Sequence, residues 1–250
     1  MSGHSKWSTI KRQKGVTDAK RGALFTKVAR EISVAARQGG GDPDANYRLR
    51  LAIEKARSVN MPSDNIKRTI DKATGGGEGE QFEEIVYEGY GPGGVAVLVE
   101  AQTDNRNRTA GEIRSIFTKA GGQLAGSGAV AWQFEPRGLI TVPRRGIDPD
   151  EVALAAIDAG ATDVNTEDDD AVEIYTDPGQ LEAVRRGLEA ARIPIDNAES
   201  TMVARQTVGL DSSRARQALR LVELLEELDD VQRVTANFDI PDDVFAEVAG

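Results

Sequence analysis

A glycine-rich stretch, TGGGEGE at 74–80, separates two hydrophobic rhythms in this 250-residue chain. Ahead of it, apolar residues recur at three- and four-residue intervals, the period of an amphipathic helix. Behind it, helical stretches alternate with short strand-like runs. No single bundle and no single sheet accommodates both. The stretch lacks the Lys-Ser/Thr pair of a phosphate-cradling loop, so it reads as a flexible linker between domains. The anterior part resolves into three helices, predicted over 17–37, 43–59 and 63–73. Leu24, Phe25, Val28, Ala29, Ile32, Ala35 and Ala36 form the inward stripe of the first, Leu49, Ala52, Ile53 and Ala56 that of the second, and Ile66 and Ile70 that of the third. GGGDPD (39–44) stops the first helix and Pro43 restarts the chain as the second. Ser63 or Asp64 is the expected N-cap of the third.

Behind the linker, VAVLVEAQT (95–103), AVAWQFE (129–135), GLITV (138–142), AVEIYTD, TMVARQTV (201–208) and VQRVTANFD have the pattern of strands. In AVAWQFE, the alternation puts Val130, Trp132 and Phe134 on one face. Helices are predicted at 109–122 and in DPDEVALAAIDAGA, PGQLEAVRRGLEAARI and SSRARQALRLVELLEELDD. Residues 138–200 then run β-α-β-β-α-β, with a short strand near Val164, and the flanking pieces 95–135 and 201–239 supply β-α-β twice. Both match the split βαβ, ferredoxin-like order. The expected fold class is therefore α+β: an N-terminal all-helical domain plus two ferredoxin-like α+β domains, one inserted in the other. The expected boundaries are a mobile basic arm at 1–16, a helical domain at 17–78, one α+β domain made of 79–136 with 201–250, and an inserted α+β domain at 137–200.

Charge is divided as sharply as periodicity. The chain carries −10 overall, yet residues 1–74 hold 16 Lys and Arg against 7 Asp and Glu, while 75–250 hold 15 against 34. Such asymmetry points to a polyanion for the basic part, with the acidic remainder repelling nucleic acid and so orienting the protein on it. Displacing condensed counterions needs several cations and no rigid geometry. The arm supplies them as Lys6, Lys11, Arg12 and Lys14, together with His4, which can donate to a phosphate, and Trp7, which can stack on an unpaired base for roughly 1–3 kcal/mol. The bland alternatives are an ordinary tail for His4 and packing against the helices for Trp7. Lys20 and Lys27 on the first helix and Lys67 and Arg68 on the third extend the basic surface, and those of the third suit phosphates better than base edges.

Other stretches carry weaker chemistry. In TDNRNRTAGE (103–112), Arg106 and Arg108 precede a helix in which Thr109 and Glu112 have capping-box spacing, so a phosphate or carboxylate is one possible occupant and pairing with local acids is the other. A ligand-sensing module would place its site there. EGYGPGGVAV (88–97) is a glycine-rich turn feeding a strand with no helix after it, hence no dinucleotide fingerprint. Tyr87 and Tyr90 read as hairpin core. NTEDDDAVE (165–173) lacks the spaced ligands and central glycine of a calcium loop and reads as a solvated acidic turn. Zero cysteines exclude zinc ribbons, thiol nucleophiles and disulfides and suit a reducing cytoplasm. A single histidine argues against a histidine-based triad or metal site. No apolar run reaches eighteen residues and the N-terminus has no apolar core of a secretory signal. The expectation is a cytoplasmic, non-enzymatic protein with no catalytic residues, no cofactor, no metal and no membrane partner.

GHSKWSTIKRQK, DAKRGALFTKVAREI, NYRLRLAIEKAR, NMPSDNIKRTIDKATG, YEGYGPGGVAVLVEAQTDNRNRTAGEIR and GSGAVAWQFE strongly resemble the YebC family, whose mitochondrial member is a translational activator of cytochrome oxidase. The resemblance covers nearly the whole chain and is most specific up to about residue 135; the later half matches in layout and in segments such as ALRLVELLEELDDVQRVTANFD. It implies a helical domain followed by two α+β domains. It also implies one of two functions. The family's conventional label is DNA-binding transcriptional regulator. The alternative is a translation factor that relieves ribosomes stalled at proline-rich stretches, in which residues 3–7 and the basic residues after them would approach the RNA-lined catalytic centre. The partner expected is therefore nucleic acid, either DNA or ribosomal RNA, and through the latter the ribosome. The free arm with Trp7 favours an RNA cavity.

Overall fold

A computed structural model describes residues 18–75, 82–144, 146–167, 171–240 and 244. The arm at 1–16 and most of the glycine-rich linker lie outside the described residues, as do Asp168, Asp169 and Asp170 of the acidic turn.

The front of the chain forms three helices: α1 (Asp18–Gly39), α2 (Tyr47–Ser58) and α3 (Ser63–Thr74). Their inward stripes meet as the periodicity requires, with Val28, Ile32, Ala35, Leu49, Ala52, Ala56 and Ile66 in one buried cluster. Helix α2 starts later than expected. Asn46, not Pro43, caps it: the Asn46 side chain accepts from the Leu49 N–H at 3.0 Å and donates to the Ala35 and Gly40 carbonyls, each at 2.8 Å. One buried amide thus closes the end of α1 onto the start of α2. Helix α3 begins after Pro62 without any side-chain cap, so neither Ser63 nor Asp64 has the expected role.

Two α+β domains follow. In the first, the hairpin β1 (Glu83–Tyr90) and β2 (Ala96–Thr103) leads to α4 (Arg106–Lys119) and the short β3 (Gln123–Leu124). The chain then leaves for the second domain: β4 (Phe134–Pro143), α5 (Pro149–Asp158), β5 (Asp163–Asn165), β6 (Ala171–Thr176), α6 (Leu181–Ala190) and β7 (Asn197–Ala204). It returns as β8 (Val208–Gly209), α7 (Ser212–Glu226), β9 (Val231–Ala236) and β10 (Phe238–Asp239). The inserted sheet has the order β5-β6-β4-β7, entirely antiparallel, which is the ferredoxin-like arrangement. The weakly patterned strand near Val164 is present as β5.

The outer sheet has the order β3-β1-β2-β9. It keeps the ferredoxin-like geometry with one difference from the sequence expectation. The position beside β2 is taken by β1, a strand that the glycine-rich turn concealed, while β8 leaves the sheet to pair in parallel with β10. Gly89 lets β1 lie against α4: a Cβ there would sit 2.6 Å from the Phe117 ring. Gly93, at φ 77°, turns the hairpin. Val97 and Val99 face α4 and α7 in the main core with Ile113, Phe117, Leu221 and Leu225. Ala96 and Leu98, on the other face of β2, pack against Val130 and Phe134 and the tail of β7. Burial on both faces explains why β2 reads as an unbroken apolar run.

Strand β4 starts at Phe134 and pairs with β7 from Phe134 opposite Ala204. The sheet therefore crosses the junction expected at 136/137, and 201–204 extend β7 instead of starting a strand of the outer domain. AVAWQFE is a strand only from Phe134 onward. The Glu88 carboxylate accepts N–H bonds from Gly128 at 2.5 Å, Val130 at 2.7 Å and Ala131 at 2.8 Å, which bends the chain into a tight turn. Val130 and Phe134 are buried, but Trp132, expected beside them, is 70% exposed. Burial works against the Glu88 charge, yet those three donors hold its carboxyl below the ordinary glutamate range.

The helical domain docks on both α+β domains through α1 and α2. Tyr47 and Leu51 pack against the core of the inserted domain, and Arg50 and Glu54 meet Glu182 and Arg185 of α6 at 3.8 and 3.5 Å. On the outer domain, Arg48 forms a bidentate pair with Glu84 at the start of β1. The Arg48 hydrogen bond, joined by Gln38 and Gln102 against the cost of burial, lowers the Glu84 carboxyl from 4.5 to about 2. A carboxyl depressed in the fold contributes stability above its unfolded value and loses it as pH falls toward the folded one. Thermal melts of the native protein and of Glu84→Gln are expected to differ at neutral pH and to converge between about pH 4.5 and 2; a constant gap across that window would show that Glu84 is not the group titrating.

Candidate nucleic-acid interface

The described cations of the helical domain fall into two sets. The first set faces inward to the α+β domains. Lys27 donates to the Glu226 carbonyl at 2.6 Å, at the C-terminus of α7, where a cation complements the helix dipole. Arg30 donates to the Asp229 carbonyl at 2.6 Å and the Asp230 carboxylate at 2.7 Å, and its guanidinium lies 5.2 Å from the Phe82 ring centre. Arg48 pairs with Glu84, and Lys55 pairs with Glu31 at 2.7 Å. Lys27, Arg30 and Arg48 hold domains together, Lys55 ties α2 to α1 within the helical domain, and Lys27 is the one named above as a candidate contact.

The second set is on α3 and the end of α2. Lys67, Arg68 and Lys72 are exposed along α3, and Arg57 is exposed next to them. Arg68 reaches only neutral oxygens, the Asn65 side chain at 2.9 Å and the Asp64 carbonyl at 3.4 Å. Among the described residues, none of the four has a carboxylate within ion-pair distance, although Asp64 and Asp71 share the helix. Arg57, Ser63 and Lys67, with one acid, Asp71, border a shallow groove of about 320 Å³ between α2 and α3, open at the uncapped start of α3. Free N–H groups, a hydroxyl and two cations in one place suit a phosphate oxygen. Arg57 and Lys72 were legible as surface cations from the helical period; what the sequence did not reveal is that they keep their charge unpaired while their neighbours lose theirs. Lys20 lies in the first turn of α1, where only the backbone is described. His4, Lys6, Trp7, Lys11, Arg12 and Lys14 lie outside the described residues.

Arg106 and Arg108 are both engaged by acids of the chain. Asn105, not the Thr109–Glu112 pair, caps α4, so both arginines lie in its first turn. Arg106 is 3.6 Å from Glu83. Arg108 bonds Asp104 at 2.7 Å and Asp230 at 2.6 Å. Thr109 is buried and donates to Asp230 at 2.6 Å, with Thr103 donating to the same carboxylate at 3.0 Å. Asp230, 4% exposed on its side chain, therefore binds Arg30, Arg108, Thr103 and Thr109 at once. Burial would raise this carboxyl, but the bonds from Arg108, Thr109 and Thr103 and the charge of Arg30 hold it below the ordinary aspartate range. For Arg108 the buried Asp230 wins because it is already desolvated and needs cations; an outside anion would have to displace it.

Comparison with known proteins agrees with this architecture. Residues 5–76 match the family model for the TACO1/YebC protein N-terminal domain, and residues 82–238 match the model for the TACO1/YebC second and third domain. A probable transcriptional regulatory protein of Rubrobacter xylanophilus is 57% identical over 251 residues, covering 100% of both chains. One of the same name from Roseiflexus castenholzii is 58% identical over 245 residues, covering 96% of each. The crystal structure of a conserved hypothetical protein from Aquifex aeolicus superposes with a TM-score of 0.84 at 51% identity, covering 90% of this chain and 92% of that one.

Asp230→Ala leaves two guanidiniums and two hydroxyls facing an empty buried site. Removing one partner of a buried pair costs about 3 kcal/mol or more, so the urea midpoint is expected to fall with loss of the docked helical domain, and Arg106→Ala, at an exposed pair, is expected to leave it unchanged. Equal midpoints for Asp230→Ala and the native chain would remove this cluster from the structural account.

Proposed function

The chain belongs to the TACO1/YebC family, and from that premise we propose that it is a non-enzymatic regulator of gene expression that works by binding nucleic acid through the free cations of α3 and the basic arm ahead of α1. The observation that carries this reading is the group Arg57, Lys67, Arg68 and Lys72, exposed and without a carboxylate partner among the described residues. In a chain of net charge −10, four cations without acid partners among the described residues are poised for phosphate rather than for internal pairs. The arm adds Lys6, Lys11, Arg12 and Lys14, and Lys20 continues the same charge into α1. His4 and Trp7 supply a phosphate donor and a stacking surface.

The reading is directed at the phosphate backbone. A major-groove reader presents side chains that bond base edges. Beyond its cations, helix α3 offers one amide of that kind, Asn65, and its oxygen is engaged by Arg68. This favours a folded RNA, recognised by shape and charge, over a DNA operator recognised by sequence. A ribosomal target is consistent with that preference; a double-stranded operator is the competing reading, in keeping with the name of the bacterial relatives.

The test is a salt titration of binding to ribosomal RNA fragments and to duplex DNA. Reversing Lys67, Arg68 and Lys72 to Glu is expected to weaken binding by more than about tenfold at moderate salt and to flatten the log–log slope by roughly one for each phosphate no longer neutralised. Arg106→Gln is expected to change neither. Sequence-independent retention of tight, steep binding by the triple variant would exclude α3 from the interface.

A further inference from the structure

A large cleft lies where the three domains meet. It encloses about 780 Å³ between α2, the outer face of β1 and β2, the start of β7, and α6. Its lining carries seven carboxylates against four cations, an excess opposite in sign to that of the α3 surface. The four cations are all engaged: Arg48 with Glu84, Lys55 with Glu31, Arg185 with Glu54 and Glu189, and Arg233 with Glu199. Glu100 has no hydrogen bond and no close ion pair among the described residues; burial raises its carboxyl, and the charge of Arg233, opposite it on β9, offsets this only in part.

Two positions along the same strand, and therefore on the same face, is Gln102, only 4% exposed. Its amide nitrogen donates to Glu84 at 3.2 Å. A carboxylate only accepts, so this bond fixes the orientation of the amide. The Gln102 Oε1 atom is then a buried acceptor on a residue that lines the cleft, without a partner among the described residues. The Tyr47 hydroxyl on the opposite wall and the Gln232 amide on β9 are also buried without partners. Leaving such groups unsatisfied costs roughly 1–3 kcal/mol each, and the acceptors Glu100 and Gln102 share one need: a donor that carries positive charge.

We propose that this cleft binds a small aliphatic amine of the linear di- or polyamine class, with one primary ammonium seated between Glu100 and Gln102. An ammonium has three N–H donors and no acceptor, which suits a carboxylate and an amide oxygen side by side. The walls contributed by Leu51, Ile85 and Ile195 give the methylene stem an apolar surface. An anion is disfavoured by the acidic excess. A hard divalent cation needs six or more oxygens converging on one point, whereas no three acids converge in that way among the described residues, and the acids of the cleft other than Glu100 and Asp196 already bind cations. The ligand would also bridge the helical, outer and inserted domains, so occupancy would stiffen their mutual arrangement. The proposal is independent of nucleic-acid binding, and neither stands on the other.

Calorimetric titration of the full chain with spermidine, at an ionic strength that screens the overall charge, is the test. One saturable site is expected, with triacetylspermidine giving no heat. Glu100→Gln and Gln102→Met are each expected to weaken binding by about tenfold or more, the loss of one charge-assisted bond. Glu112→Gln removes the same charge from an exposed part of α4 and is expected to have no effect. Gln102→Met preserves volume, and circular dichroism checks its fold; if it unfolds, Glu100→Gln alone decides. Loss of affinity shared equally by Glu112→Gln, retention by Glu100→Gln, or the same saturable, Glu100-dependent heat with magnesium chloride in place of spermidine would each overturn the proposal.

Discussion

The buried carboxylate of Asp230 determines what the rest of the surface can do. It is nearly inaccessible, and it remains charged because two guanidiniums and two hydroxyls surround it. A buried charge with complete partners is stable, and one without them is strongly destabilising. The cluster therefore acts as a peg: Arg30 comes from α1, Arg108 and Thr109 from α4, Thr103 from β2, and Asp230 from the turn into β9. With Lys27 on the end of α7, it fixes the rotation of the helical domain on the outer domain. Once that rotation is fixed, one set of cations faces inward and the set on α3 faces out.

The same logic divides the charge of the chain into two working surfaces. Cations of α1 and α2 cancel acids of the α+β domains at the domain junctions. This leaves the outward face of α3 basic and the inner cleft acidic, so the two surfaces select ligands of opposite sign. Sequence asymmetry and structural asymmetry are thus not identical. Part of the front's excess charge holds the domains together, and the remainder is available to phosphate.

Much of the architecture was legible because periodicity reports burial directly. The three helices, the inserted β-α-β-β-α-β unit and even the faint β5 followed from apolar spacing. The failures share a cause, which is that they depend on partners distant in sequence. Strand β1 was hidden because a glycine-rich turn masked its alternation, and only the Phe117 ring explains Gly89. The alternation of 129–135 sets Trp132 on one face with Val130 and Phe134; the Glu88 carboxylate, some forty residues earlier in the chain, bends that segment and separates them. Thr109 has the spacing of a capping residue but is drawn inward by Asp230. Lys27 and Arg108 had the right charge for a phosphate, and nothing local in the sequence announces Glu226 or Asp230 as their partners. The free cations of α3, by contrast, were legible as surface because their helix has no long-range polar bonds, among the described residues, to override its period.

The most direct test of this division is lysine reactivity toward an acylating reagent, read by mass spectrometry with and without a saturating ribosomal RNA fragment. Lys67 and Lys72 are expected to react readily in the free protein and to become protected in the complex, Lys27 and Lys55 to react slowly in both states, and Lys119 on α4 to stay reactive throughout. Protection of Lys27 and Lys55 on binding, or unaltered reactivity of Lys67 and Lys72, would contradict it.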